Sequence, residues 1–129
     1  MQSITLSNVL PHVFAQRSDL KSEIWKQNVK FEKDKLYLVE AMSGTGKSTL
    51  CSYILGYRHD YTGLVRFDDT DVKTLTVSNW VDIRQRNISH LFQELRLFPE
   101  LTALENVEIK NKLTNFKTQA EIESWFERL

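Results

Sequence analysis

The residues with the clearest chemical content are Ser43-Gly44-Thr45-Gly46-Lys47-Ser48-Thr49. A backbone that turns tightly around a polyphosphate must point several N–H groups inward. Glycine permits both that turn and the close approach of main chain to phosphate oxygen. A lysine directly after the turn brings a full positive charge to the β- and γ-phosphates, and the next hydroxyl is a ligand for Mg²⁺. The general pattern for this chemistry is G-x-x-x-x-G-K-[ST]. Here it reads Ala41-Met42-Ser43-Gly44-Thr45-Gly46-Lys47-Ser48, with alanine in place of the first glycine. The added methyl group is expected to strain that turn or to lower affinity. All four glycines of the chain fall between positions 44 and 63, so the flexible backbone is concentrated around this one site.

Such a loop needs a strand before it and a helix after it. The short apolar run Leu36-Tyr37-Leu38-Val39 reads as a buried strand. Beyond the loop, Leu50, Tyr53, Ile54 and Leu55 recur at helical spacing, and Gly56 sits where a helix would stop. The N-terminus of that helix adds unpaired N–H groups and the positive end of a dipole, both favourable to an anion. Strand, glycine-rich turn, Lys-Ser and helix together make an arrangement that holds the phosphates of a nucleotide such as ATP, with Mg²⁺.

Composition narrows the rest. The chain has 129 residues, room for one modest domain. At 41% hydrophobic and 26% charged it is globular rather than disordered. Its 17 acidic and 17 basic residues cancel, which argues against a dedicated nucleic-acid binder. No apolar run approaches the roughly 18 residues that a membrane-spanning helix needs, and the N-terminus lacks the basic start and apolar core of a signal peptide. The single cysteine, Cys51, rules out an intramolecular disulfide and suits a reducing compartment; it reads as a small core residue of the helix after the loop. His12, His59 and His90 are not spaced as metal ligands.

Taken in order, Ser3 to Val9 alternates apolar and polar residues and reads as an edge strand ended by Pro11. Ile24 to Phe31 fits a second strand, Gly63 to Phe67 a third and Ile88 to Phe92 a further one; Ser78 to Arg86 reads as a short helix. Thr102-x-x-Glu105 and Thr118-x-x-Glu121 each look like a capping box opening a helix. In the second of these, Ile122, Trp125, Phe126 and Leu129 fall on one apolar face. With nothing after it to bury that face, the chain reads as the front part of a longer domain. A second copy of the chain is the other candidate cover.

Two blocks together, SGTGKSTL and RNISHLFQELRLFPELTALENV, resemble the N-terminal part of an ABC transporter ATP-binding domain. The likeness extends over nearly the whole chain. The wording of the second block is most similar to the subgroup that drives lipoprotein release, macrolide export and cell-division membrane partners. The resemblance implies an α/β P-loop NTPase fold: a mixed β-sheet with the phosphate-loop helix and the start of a helical subdomain. On that layout residues 1–92 are the nucleotide-binding core and residues 93–129 carry the Q-loop and the beginning of the helical subdomain.

The resemblance also implies roles. Ser43, Gly44, Thr45 and Gly46 cradle the phosphates, Lys47 neutralises them and Thr49 contacts the α-phosphate. Ser48 and Gln93 hold Mg²⁺, Gln93 also positioning the attacking water. Phe14 best matches the aromatic that stacks on adenine, although the stretch from Ala15 to Lys21 is longer than the family's spacing. The expected partners are ATP, a transmembrane permease subunit and a second ATPase domain. The expected location is cytoplasmic, at the inner face of the membrane through that partner, with no nucleic acid and no membrane insertion of its own. The family's signature motif, its Asp-Glu strand and its switch histidine are not found here, so the parent domain would be an ATPase while this chain alone is expected to be inactive. The competing reading is a non-hydrolysing module that binds another protein or a second copy of itself.

Overall fold

The computed structural model describes residues 1–128, which fall into two compact units, Met1–Val81 and Asp82–Leu129. The first holds four strands: β1 (Ser3–Pro11), β2 (Asn28–Glu32), β3 (Tyr61–Phe67) and β4 (Thr70–Asp71). They form one sheet in the order β2-β1-β3-β4, and every pairing is antiparallel. Two expectations are corrected by this. The sheet is antiparallel rather than mixed, and β1 is an inner strand rather than an edge. Alternation along β1 reports that one face is buried; it carries no information on how many neighbours the strand has. Val29, Leu6 and Val65 line up across three strands, and Phe31, Ile4 and Phe67 make the next row. Leu6 and Val65 are fully buried, each contributing about 1.5–3 kcal/mol.

The run from Leu36 to Val39 is not a strand. Leu36 is wholly exposed and Leu38 nearly so. Tyr37 alone is anchored, its ring edge-on to Phe31 at 5.1 Å and its hydroxyl accepting the Glu32 N–H at 2.9 Å. A strand exists through its pairing, and no strand among the described residues pairs its backbone with this run. The apolar pattern that marks a strand buried on both faces is therefore present without the pairing that would realise it.

Helix α1 (Lys47–Ile54) follows the loop. It closes as expected at Gly56, whose N–H donates to Tyr53 O (3.2 Å) while the Tyr57 N–H donates to Ser52 O (2.8 Å), the paired bonds of a Schellman ending. Leu50 and Tyr53 are its buried residues, whereas Cys51 is exposed, contrary to its reading as core. Helix geometry explains the difference: about 100° per residue turns position 51 away from the face that positions 50 and 53 share. Helix α2 (Val77–Arg86) begins in the first unit, where Trp80 is buried edge-on against Phe67 at 5.7 Å.

In the second unit, helix α3 (Ala103–Asn111) and helix α4 (Gln119–Phe126) both open on the expected capping boxes. The stretch Ile88 to Phe92 is not a strand, for the same want of a neighbour; Leu91 is 95% exposed. On α4 Ile122 is buried, while Trp125 and Phe126 are 45% and 39% exposed, so the apolar face is only partly covered. Leu129, its fourth expected member, lies outside the described residues.

Glu121 of the second box accepts the Thr118 N–H, its main stabilising contact, together with the Lys117 ammonium, and its pKa is held down to about 2. A carboxylate depressed in the folded state stabilises only while ionised. The contribution is present above the ordinary value of 4.5 and is lost as pH falls toward 2. Circular dichroism should therefore show helix content falling across that window, with Glu121→Gln flattening the part of the response that belongs to α4.

Candidate functional site

Between the run at Leu36 and helix α1, the chain from Ala41 to Gly46 forms an open loop. Gly46 is the N-cap of α1 in a left-handed conformation, φ +102°. No described residue accepts a hydrogen bond from the amides of Ser43 through Thr49. These donors lie at the positive end of a helix, on an exposed loop, with water as their alternative partner.

The loop is folded on its own side chains. The Lys47 ammonium donates to the carbonyls of Ala41 and Met42, the latter at 2.9 Å, and the Thr45 hydroxyl donates to Met42 O at 2.6 Å. The lysine thus spans the loop from its end to its beginning, its charge resting on two loop carbonyls. The Ser48 side chain is exposed in the first turn of α1, and its hydroxyl has no hydrogen-bond partner among the described residues. Thr49 is half-buried beside it. Alanine at position 41 is accommodated in an exposed stretch, its carbonyl serving as an acceptor for Lys47.

Aromatic rings support the loop from behind. Trp25 is buried, and its indole Nε1–H donates to Thr45 O at 3.0 Å. A Cβ on Gly46 would lie 3.0 Å from Trp25 Cζ2 and 3.1 Å from Phe14 Cε2. From there the rings continue: Phe14 to Trp25 at 6.5 Å, Trp25 to Tyr53 at 6.2 Å and Tyr53 to Tyr61 at 4.6 Å. The row runs from the loop through α1 to β3, and each contact is at a separation typical of attractive ring pairs. The Tyr53 hydroxyl ends on Asp60 O at 3.0 Å. A cavity of about 790 Å³ opens next to the loop, lined by Trp25, Val29, Phe31, Met42, Lys47 and Leu50 among others.

The structure places Ser43 to Thr49 on one loop and the first turn of α1. Phe14 stands behind the loop at 6% exposure, with the Arg17 guanidinium 5.9 Å over its ring. Gln93 is exposed in the second unit, after Phe92. The chain around it is organised by a residue the sequence singled out only as part of a pattern: Asn106 of α3 accepts the Phe98 N–H at 2.8 Å and donates to Phe98 O, Leu101 O and Thr102 O at 2.9–3.2 Å. That single side chain fixes the turn at Pro99 that leads into α3, which explains why Phe98-Pro99, Thr102 and Asn106 occur at this spacing. No group of His, Cys, Asp and Glu side chains among the described residues could hold a metal, and none of the described helices is long and apolar enough to cross a membrane.

A lysine folded across a glycine-rich loop, with amides free at the head of the following helix, is an arrangement that favours an anion. Residues 25–129 match the family model described as ABC transporter, and the chain belongs to that family. Among curated relatives it is similar to the ABC transporter ATP-binding protein YtrE of Bacillus subtilis, 34% identical over 85 residues, 66% of this chain and 37% of that one. The uncharacterized ABC transporter ATP-binding protein YclH of the same organism is 33% identical over 90 residues, 70% of this chain and 38% of the relative. The trimethylamine N-oxide transport system ATP-binding protein TmoW of Pelagibacter ubique is 31% identical over 97 residues, 74% and 28% respectively. The chain thus spans between about a quarter and two fifths of the length of these relatives. No solved structure matches it.

Proposed function

We propose that this chain is the nucleotide-binding part of the ATP-binding component of an ABC transporter. The observation that carries the reading is the run of unpartnered amides from Ser43 to Thr49 on the loop that the Lys47 ammonium spans. Backbone N–H groups of Ser43 to Gly46 cradle the phosphates, Lys47 leaves its loop carbonyls to neutralise the β- and γ-oxygens, and Thr49 meets the α-phosphate. The Ser48 hydroxyl is exposed and unengaged, as a Mg²⁺ ligand would have to be; Gln93 is proposed as the second ligand on the resemblance alone. When bound, the ion supplies charge neutralisation of the triphosphate. Phe14 is the proposed base-stacking aromatic. Because its ring is buried against Trp25, stacking requires the segment around it to open.

Hydrolysis, with Gln93 orienting water, belongs in this reading to the whole domain, as do its coupling to a transmembrane permease and its pairing with a second ATPase domain. Residues 93–129 then begin the helical subdomain, and location at the inner membrane face follows from the permease. The sequence around Arg84, Ile88, Phe92 and Gln93 supports the lipoprotein-release, macrolide-export and cell-division subgroup.

The test is thermal unfolding of the chain and of Lys47→Ala with and without MgATP. Ligand that binds only the folded state adds RT ln(1 + [L]/Kd), about 2.7 kcal/mol at a hundredfold excess over Kd. Wild type is expected to gain stability in MgATP. Lys47→Ala is expected to bind roughly ten- to a hundredfold more weakly, because a hydrogen bond to a charged group contributes about 1.5–3 kcal/mol. If MgATP leaves wild type unmoved and gel filtration shows self-association, the reading fails in favour of an interaction module.

A further inference from the structure

We infer that Trp25 is a positioning residue for the phosphate loop: its indole N–H holds the Thr45 carbonyl and thereby aims the Gly46 amide at the bound phosphate. The inference rests on the nucleotide-binding reading above. It begins from one hydrogen bond, Trp25 Nε1 to Thr45 O at 3.0 Å, between residues that sequence order places far apart.

The carbonyl of Thr45 and the N–H of Gly46 belong to one peptide unit. That unit is planar and trans, so its C=O and N–H point in opposite directions. A donor that fixes the carbonyl toward the aromatic rings behind the loop turns the amide away from them, toward the loop's open face. The indole is the sole partner of Thr45 O among the described residues. Without it this peptide would be easy to turn over, because the residue on its far side is glycine, for which both signs of φ are accessible. A phosphate loop needs its amides convergent, and the indole holds a peptide unit that glycine leaves free to turn.

Trp25 is itself held. It is 5% exposed, its backbone N–H donates to the Ser22 hydroxyl at 2.9 Å, and its ring contacts those of Phe14 and Tyr53. An indole carries one N–H and no acceptor, so the contact has a single polarity. An apolar side chain of similar bulk would fill this space beside Gly46, Phe14 and Tyr53 but could not hold the carbonyl. The donor is therefore separable from the packing.

The experiment uses the full chain and two probes, MgATP and inorganic tripolyphosphate, the second touching only the loop. Binding is measured by calorimetry for wild type, Trp25→Phe and a variant carrying 3-benzothienylalanine at position 25, an isostere whose sulfur replaces the N–H. Loss of one neutral hydrogen bond corresponds to about a fivefold weaker Kd. Both variants are expected to lose about that factor for both probes, and the Gly46 amide resonance should shift less on phosphate binding than in wild type. A merely structural tryptophan would lower the unfolding midpoint and leave the isostere's affinity and the Gly46 shift unchanged, which overturns the inference. Should Trp25→Phe fail to fold, the isostere alone decides. If wild type binds neither probe, the nucleotide reading fails and this inference with it; if wild type binds both and the isostere binds equally well, only the role of Trp25 fails.

Discussion

Gly46→Ala is expected to abolish stabilisation of the chain by MgATP and to lower its own unfolding free energy by about 1–3 kcal/mol. The backbone at this position has φ +102°, a region in which an L side chain is strained by about that amount. The new methyl group would also sit 3.0 Å from Trp25 Cζ2 and 3.1 Å from Phe14 Cε2, closer than ordinary van der Waals contact. Neither ring can withdraw freely. Phe14 and Trp25 are both buried, and Trp25 is tied to Thr45 O and stacked edge-on toward Tyr53. The strain is relieved by moving the loop outward and letting φ relax, and that motion reorients the Gly46 amide and the first turn of α1. The stability loss is moderate because the loop is exposed; the loss of binding is nearly complete because the proposed site is made of these amides. Thermal scans with and without MgATP separate the two. An alanine variant that responds to MgATP like wild type would show that the left-handed Gly46 is not the binding conformation.

What the sequence disclosed follows the range of the interactions. Thr102 with Glu105, and Thr118 with Glu121, meet within one helical turn, so their capping boxes are readable from spacing alone. The loop from Ser43 to Thr49 is readable for the same reason, since lysine, hydroxyl and glycines act within a few residues. Strand identity is not local. Leu36 to Val39 and Ile88 to Phe92 have strand-like composition but no strand beside them, while Ser3 to Pro11 has two neighbours although its alternation reads as an edge. Cys51 was misplaced by residue type, where the helix period of α1 decides. Trp25 was legible only as an apolar member of a loose strand pattern. That its indole would reach a carbonyl of the loop depends on tertiary packing that no spacing encodes. The family and the local loop and caps are therefore open to reading, while the sheet's pairing and the aromatic support behind the loop are not.

The largest effect on the fold is expected from Gly63→Ala in β3, a loss of about 3–5 kcal/mol, which puts it among the exceptional single substitutions. The register of β1 on β3 shifts between Ser7 and Leu10, where Asn8 takes a positive φ of 50° and the strand bulges. Gly63 faces that bulge with φ +84°, and a Cβ there would lie 2.4 Å from Asn8 O and 2.6 Å from Ser7 O. These are backbone atoms of an inner strand. The Asn8 N–H is bonded to Gln27 O at 3.0 Å on the other side, so β1 cannot move away without breaking its pairing with the segment leading into β2. Shifting β3 instead would disturb the row in which Leu6 opposes Val65, both fully buried, and the contact of Tyr61 with Tyr53 through which the sheet supports α1. Against a typical total stability of about 5–15 kcal/mol, a change of this size leaves a large unfolded fraction. Urea unfolding checks it, with the exposed neighbour Thr62→Ala as the control that shares the strand but not the contact. A Gly63→Ala midpoint close to that of the control would mean that the bulge does not hold the close approach of Asn8 to β3. The expected midpoint is far lower, and the MgATP response should fall with it, because the aromatic row to the loop begins at Tyr61.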